Sequence, residues 1–168
     1  MRVAVTGTPG TGKSTAVDLL DSDLEVLHLN ETIREAGLTT GHDEERDSAI
    51  ADMDALADYL DGREGVVFES HLAHHLPADR VVVLRCHPER LAERLRERGE
   101  PAATVEENAE SEALDVILAE AVERHGEAGV YEMNTTDRTP AETAAAIDAV
   151  VAGERDPAVG TVSFVDYL

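Results

Sequence analysis

Apolar residues along the chain follow two kinds of pattern in turn. Short β-branched runs, RVAVT at 2–6, GVVFE at 65–69 and RVVVLR at 80–85, read as strands of a buried sheet. Between them, PERLAERLRERG at 88–99 and EALDVILAEAVERHG at 112–126 repeat their apolar positions at three and four residues, the spacing of one helix face. Strands alternating with helices predict βαβ units around a parallel sheet. The spacing predicts strands at 2–6, 25–29, 65–69, 80–85 and 130–134 and helices at 13–20, from Asn30 as cap to Gly37, and from Asp47 or Ser48 to about Asp61. It also predicts helices at 88–99 with Pro88 in the first turn, from Thr104 with Glu107 as a capping box to about His125, and at 139–152. The segment from Leu38 to Asp47 reads as a polar loop, and the apolar residues of TVSFVDYL at 161–168 are expected to dock back on the domain.

One motif carries chemistry by itself. Gly7, Gly12, Lys13 and Ser14 in GTPGTGKST match G-x-x-x-x-G-K-[ST], after a strand and opening a helix. Glycines let main-chain N–H groups approach phosphate oxygens, the lysine reaches the outer phosphates, and the serine hydroxyl ligates Mg²⁺. Lys13 is the only lysine in 168 residues, against thirteen arginines. A compact ammonium on a flexible stem fits between phosphates where a planar guanidinium does not. ATP with Mg²⁺ is therefore the expected ligand, with Gly10, Gly12, Lys13, Ser14 and Thr15 around it.

Composition changes this picture at two points. A formal charge of −22 argues against strong direct binding to RNA or DNA, which depends on basic patches and counterion release. The same excess of Asp and Glu suits a cytoplasm with molar salt, where self-repulsion is screened. A lone cysteine, Cys86, rules out an internal disulfide, no apolar run approaches the ~20 residues of a membrane span, and a strand starts at Arg2 without a leader, so a cytoplasmic location is expected.

Other candidates are more ambiguous. The run GVVFE ends in Glu69, placed as the carboxylate that positions Mg²⁺ beside a phosphate loop, with His71 two residues on. Histidines 71, 74 and 75 have ligand-like spacing, but Pro77 and the absence of a second cysteine argue against a structural zinc site, leaving His74 and His75 as ordinary surface or loop residues. Arg94 and Arg98 lie on one helix face, where pairing with Glu93, Glu97 and Glu100 is the alternative to function. Arg34 and Arg85 are equally open in isolation.

Taken in order, GTPGTGKST, NETIREAGL, GHDEERDSAIADMDAL, ESH, LP-x-x-RVVVLR, ERLRERG and NAESEA make the chain resemble the adenylate kinase isoenzyme 6 family, from about Val3 to Val151. The resemblance implies a nucleoside monophosphate kinase that is also an ATPase of small ribosomal subunit maturation. The implied fold is an α/β P-loop NTPase, nucleoside monophosphate kinase-like: a five-stranded parallel sheet flanked by helices, in a kinase domain at 1–152 with a tail at 153–168. It also implies a monophosphate-binding region at about 29–51 and a short lid at about 97–108. By the same resemblance, Arg34 holds the monophosphate, joined in substrate binding by Arg94. Arg98 reaches the transferring phosphoryl group, Arg138 lies against the ATP base, and Glu69 with His71 forms an acid-x-His pair linked to hydrolysis. Two departures stand out. Glu69 takes the place of the more usual aspartate, and no Gly-Phe-Pro-Arg turn exists around 74–78, which leaves the preferred monophosphate open along with the oligomeric state.

Three readings compete. The first is a monophosphate kinase. The second is an assembly ATPase acting on a basic small-subunit ribosomal protein, a partner that an acidic surface suits better than RNA. The third is another small-molecule kinase on the same scaffold. A pure binding module would leave a complete phosphate loop idle.

Overall fold

The fold, taken from a computed structural model, describes residues 1–44 and 48–168. Five parallel strands form the central sheet in the order β2 (Glu25–His28), β5 (Val66–Glu69), β1 (Arg2–Thr6), β6 (Arg80–Arg85), β7 (Val130–Asn134). Alternate residues of each strand feed opposite layers. Ala4, Phe68, Val81 and Val83 pack with Leu29, Ile33, Leu56, Leu60 and Leu118 on one side. Val3, Val5, Val82 and Leu84 pack with Ala16, Val17, Ile147 and Val150 on the other. Each Val, Leu, Ile or Phe among them contributes about 1.5–3 kcal/mol when fully buried. With both faces covered, the strands are apolar almost throughout, which is why the runs were visible in sequence.

The first face is covered by α2 (Leu29–Ala36), α3 (Met53–Leu60) and α6 (Val116–His125), the second by α1 (Lys13–Val17) and α7 (Pro140–Val151). Helices α4 (Pro88–Glu97) and α5 (Ala102–Ala113) pack on each other through Leu91, Leu95, Val105 and Ala109. Thr139 caps α7 with Pro140 in its first turn, in a capping box with Glu142.

Several sequence expectations are corrected. The α-helix after the phosphate loop stops at Val17, three residues early, where Leu19 N–H donates to Ala16 O and Leu20 N–H to Val17 O in tighter i→i−3 turns. Asn30 does not cap α2; His28 holds that position, and Asn30 Oδ1 accepts from Ser70 Oγ at 3.3 Å. The segment 38–47 is no loop in its first half. Thr39–Asp43 (β3) pairs antiparallel with Ser48–Ala51 (β4), a hairpin whose described residues are mostly exposed and so carry no apolar alternation. Ser48 accordingly lies in a strand, not at a helix start, and Asp47 lies outside the described residues. The next helix begins at Met53, because Asp52 accepts from Ala55 N–H at 3.0 Å and caps it.

The single helix expected from Thr104 to His125 is two. The first begins at Ala102, directly after Pro101, so Thr104 lies inside it and is no cap. It ends before Asp115, a left-handed residue with φ 57°. The Arg85 guanidinium holds that break, donating from Nη2 to Glu112 O at 3.0 Å and to Asp115 Oδ1. Beyond α7 the chain returns to the sheet. Ala158 N–H donates to Val130 O at 3.1 Å, Glu132 N–H donates to Ala158 O at 2.8 Å, and Phe164 is buried.

Candidate active site

The phosphate loop is built by close approach. A side chain at Gly7 would come within 2.7 Å of Leu84 O on the neighbouring strand, so only glycine permits this exit from β1. Gly12 has φ 93°, a left-handed conformation that favours glycine, with open space where a Cβ would stand. The loop is tied from behind. Thr8 Oγ1 donates to Glu112 Oε1 at 2.9 Å, and Thr135 Oγ1 donates to Thr11 O at 3.0 Å.

Lys13 is buried, and its ammonium donates to Gly7 O at 2.9 Å, Thr8 O at 3.2 Å and Thr11 Oγ1 at 3.5 Å. Burial lowers its pKa from 10.5 to about 8 despite the nearby Glu69 and Glu112. Next to it, Ser14 Oγ donates to Glu69 Oε1 at 2.9 Å, so a hydroxyl and a carboxylate stand side by side. His28, unnoticed in sequence, bridges two acids: Nδ1 lies 2.8 Å from Glu69 Oε1 and Nε2 lies 2.8 Å from Asp18 Oδ1. Partial burial works to lower the His28 pKa, and the bonds to Glu69 and Asp18 outweigh it and raise it.

Two clefts meet at this loop. The smaller, about 100 Å³, is lined by Lys13, Ser14, Asn30, Glu69, His71 and Arg98 among others. The larger, about 340 Å³, is lined by Gly10, Gly12, Thr15, Arg94, Arg98, Thr135 and Arg138 among others. Arg98, Gly10 and Gly12 border both. His71 is partly buried and its pKa falls to about 4, through burial first and the Lys13 charge second, so its imidazole is neutral at pH 7. Arg94 does not pair with the glutamates of its own helix; its Nη1 donates to Gly10 O at 3.1 Å. Arg138 Nη1 is buried with no hydrogen-bond partner among the described residues, a donor left free for an acceptor. Arg34 is exposed on α2 and lines neither cleft.

The donor set fits both groups expected here. An ammonium held on carbonyls and an orphaned guanidinium donor suit a polyanion, and Ser14 with Glu69 offers the hard oxygen ligands Mg²⁺ takes.

Sequence reasoning missed three supporting groups. His28 and Thr135 were not singled out, and Glu112 lies in the NAESEA stretch without a role being given to it; their three-dimensional neighbours reveal what they do. The arginine at the end of β6 was left open; it sits buried between Glu112 at 3.2 Å, Glu132 at 2.7 Å and Asp115, fixing the floor beneath Thr8. His74 is corrected as well. It is fully buried, with Nδ1 2.7 Å from Thr6 Oγ1, and is no surface residue.

A family model described as an AAA domain matches residues 3–115. The chain belongs to that family. A relative from Natronomonas pharaonis named "Putative adenylate kinase" is 61% identical over 168 residues, covering 100% of both chains. Relatives of the same name from Halobacterium salinarum and Pyrococcus abyssi are 56% and 38% identical, covering 100% and 98% of this AAA-family chain and 100% and 91% of their own. Among solved structures, shikimate kinase from Acinetobacter baumannii in complex with shikimate superposes with TM-score 0.63 at 16% identity, covering 92% of this chain and 94% of that one. Deoxyadenosine kinase from M. mycoides with bound dATP gives 0.57 at 12%, covering 90% and 100%. The fold is that of the P-loop kinases, with five parallel strands between helical layers. Among the described residues no helix is long and apolar enough to cross a membrane.

Proposed function

We propose that this chain is a nucleoside monophosphate kinase that transfers the γ-phosphoryl group of ATP to AMP or a related monophosphate, and that the same site hydrolyses ATP. One observation carries the reading. In a chain of net charge −22 with 14 basic residues, four of them, Lys13, Arg94, Arg98 and Arg138, line the two clefts that meet at the phosphate loop. Concentrating cations there on an acidic protein makes physical sense for a triphosphate. The name carried by relatives at 38 to 61% identity supports the same chemistry.

Phosphoryl transfer asks mainly for alignment and charge neutralisation. Lys13 and Arg98 neutralise the transferring group and Arg94 holds the loop main chain at Gly10. Arg138, lining the larger cleft with a buried unpartnered Nη1, donates toward the base. Mg²⁺, when bound through Ser14 and Glu69, directly or by way of water, supplies further positive charge at the phosphates. Residues 29–51 form the acceptor side, with Arg34 moving in from its exposed position to bind the monophosphate, and 97–108 act as the lid that carries Arg98. His71, neutral and lining the smaller cleft together with Glu69 and Arg98, orients water when no acceptor is present.

The acidic surface favours a second role for the same site: an assembly ATPase on a basic small-subunit ribosomal protein, in maturation of that subunit within the cytoplasm. ADP formation from ATP and Mg²⁺ in molar KCl, with and without AMP, tests both. A large AMP-dependent rise, abolished by Lys13→Ala, is expected of the kinase; slow turnover indifferent to AMP leaves an assembly ATPase or a kinase for another acceptor. His71→Ala is expected to reduce hydrolysis more than AMP phosphorylation, and equal loss of both removes its role with water.

A further inference from the structure

Among the described residues, ligand atoms of His74, His75 and Glu120 lie within 4.8 Å of one another, on the side of the sheet covered by α6. His74 and His75 end a 3₁₀ turn at Ala73–His75, and Glu120 projects from α6, so the ligand-like spacing of the histidines, set aside in the sequence for want of a second cysteine, gains a carboxylate partner only in the fold. Both imidazoles point the same nitrogen at the same oxygen. His74 Nε2 lies 2.7 Å and His75 Nε2 3.4 Å from Glu120 Oε2, with the two rings 4.2 Å apart at 38°.

We propose that His74, His75 and Glu120 bind one divalent transition ion of the zinc class. Two imidazoles and a carboxylate are the donors such ions prefer, whereas Mg²⁺ selects oxygen. Around a tetrahedral ion with bonds near 2.0 Å, ligand atoms stand about 3.3 Å apart. The His75 to Glu120 distance already has that value, and the His74 to Glu120 distance must open slightly. The three ligands leave room for a fourth, because His75, Glu120, Glu123 and Arg124 border an opening of about 340 Å³. Water or the Glu123 carboxylate can complete the shell there.

The ligands are held from behind, as metal sites require. The His74 ring is fully buried and fixed through Nδ1 on Thr6 Oγ1 at 2.7 Å, which leaves Nε2 for the ion. Arg124 Nη1 holds His75 O at 3.1 Å and His125 Nε2 lies 2.7 Å from His74 O, so both neighbouring basic groups are engaged on main-chain oxygens. Thr6 immediately precedes the phosphate loop and His71 lies three residues before His74. An ion here therefore ties α6 to the end of β1 and the turn that carries His71.

Titration of EDTA-treated full-length protein with Zn²⁺ in molar KCl, followed by calorimetry and by melting temperature, tests the site. One ion per chain and a raised melting temperature are expected. His75→Ala and Glu120→Gln, at half-buried positions, should each weaken Zn²⁺ about tenfold or more while the metal-free melting temperature stays near wild type. Imidazole proton NMR of the wild type reads the site without mutation, and Zn²⁺ should move two ring systems, one of them lost in His75→Ala. Unchanged affinity in both variants, no saturable binding, or shifts confined to other histidines would each overturn the proposal.

Discussion

Lys13 shows at a single residue how function opposes stability. Its ammonium is buried on carbonyls, and its pKa near 8 against an ordinary 10.5 amounts to roughly 3 kcal/mol spent keeping it charged, at 1.36 kcal/mol per unit. The sign follows from proton counting. Between about pH 8 and 10.5 the unfolded chain holds the proton that the folded chain has lost, so stability rises with pH across that window, and below about pH 8, where both states hold the proton, the cost is fully present and constant. The expected outcome for nucleotide-free protein is a wild-type stability that climbs relative to Lys13→Met from pH 8 toward pH 10, measured by urea unfolding in parallel. A constant gap between the two would mean that the ammonium is not desolvated. ATP phosphates should abolish the climb, since a bound anion favours the charged form.

The elements show which signals are local. Strands β1, β5 and β6 and the phosphate loop could be read directly, because burial on both faces and a glycine-lysine pattern are written in consecutive residues. The β3–β4 hairpin could not be read, since its exposed residues need no alternation. The helix break at Asp115 was hidden for a different reason: its cause is Arg85, 30 positions away. Lys13, Ser14 and Glu69, picked out in the sequence, lie together at the loop, but the contacts of His28 and Glu112 there could not be read, since only the assembled sheet brings them in. The same distance effect governs the C-terminal segment. Phe164 is buried over the Arg85 guanidinium at 5.2 Å and edge-on to His87 at 5.3 Å. Thr161 N–H donates to Glu132 Oε1 at 2.8 Å, the acid that also pairs with Arg85. Phe164→Ala is therefore expected to cost about 3 kcal/mol in urea unfolding and to loosen the Arg85 network under Thr8. A loss below about 1 kcal/mol would put the segment outside the folding unit.

Across the whole molecule, 36 acids face 14 bases, and the buried network around Arg85 uses one base for three acids. Most acids thus have no cationic partner to meet, and the surface repels itself at low ionic strength. Molar salt shortens the screening length to about 3 Å, less than the spacing of most surface charges, so the repulsion is removed while contacts such as Arg85 to Glu132, sealed from solvent, keep their strength. Melting temperature should rise by roughly 10 °C between dilute buffer and molar KCl, the equivalent of about 3 kcal/mol in a domain of this size. Salt also strengthens apolar burial, so an uncharged excluded solute at matched osmolality is the control, and it should give the smaller rise. A flat or falling melting temperature in KCl would mean that the acidic surface serves partner choice alone. At molar salt the long-range repulsion between this acidic molecule and ATP is screened as well, and binding in the cleft rests on direct contact with Lys13, Arg98 and Arg138.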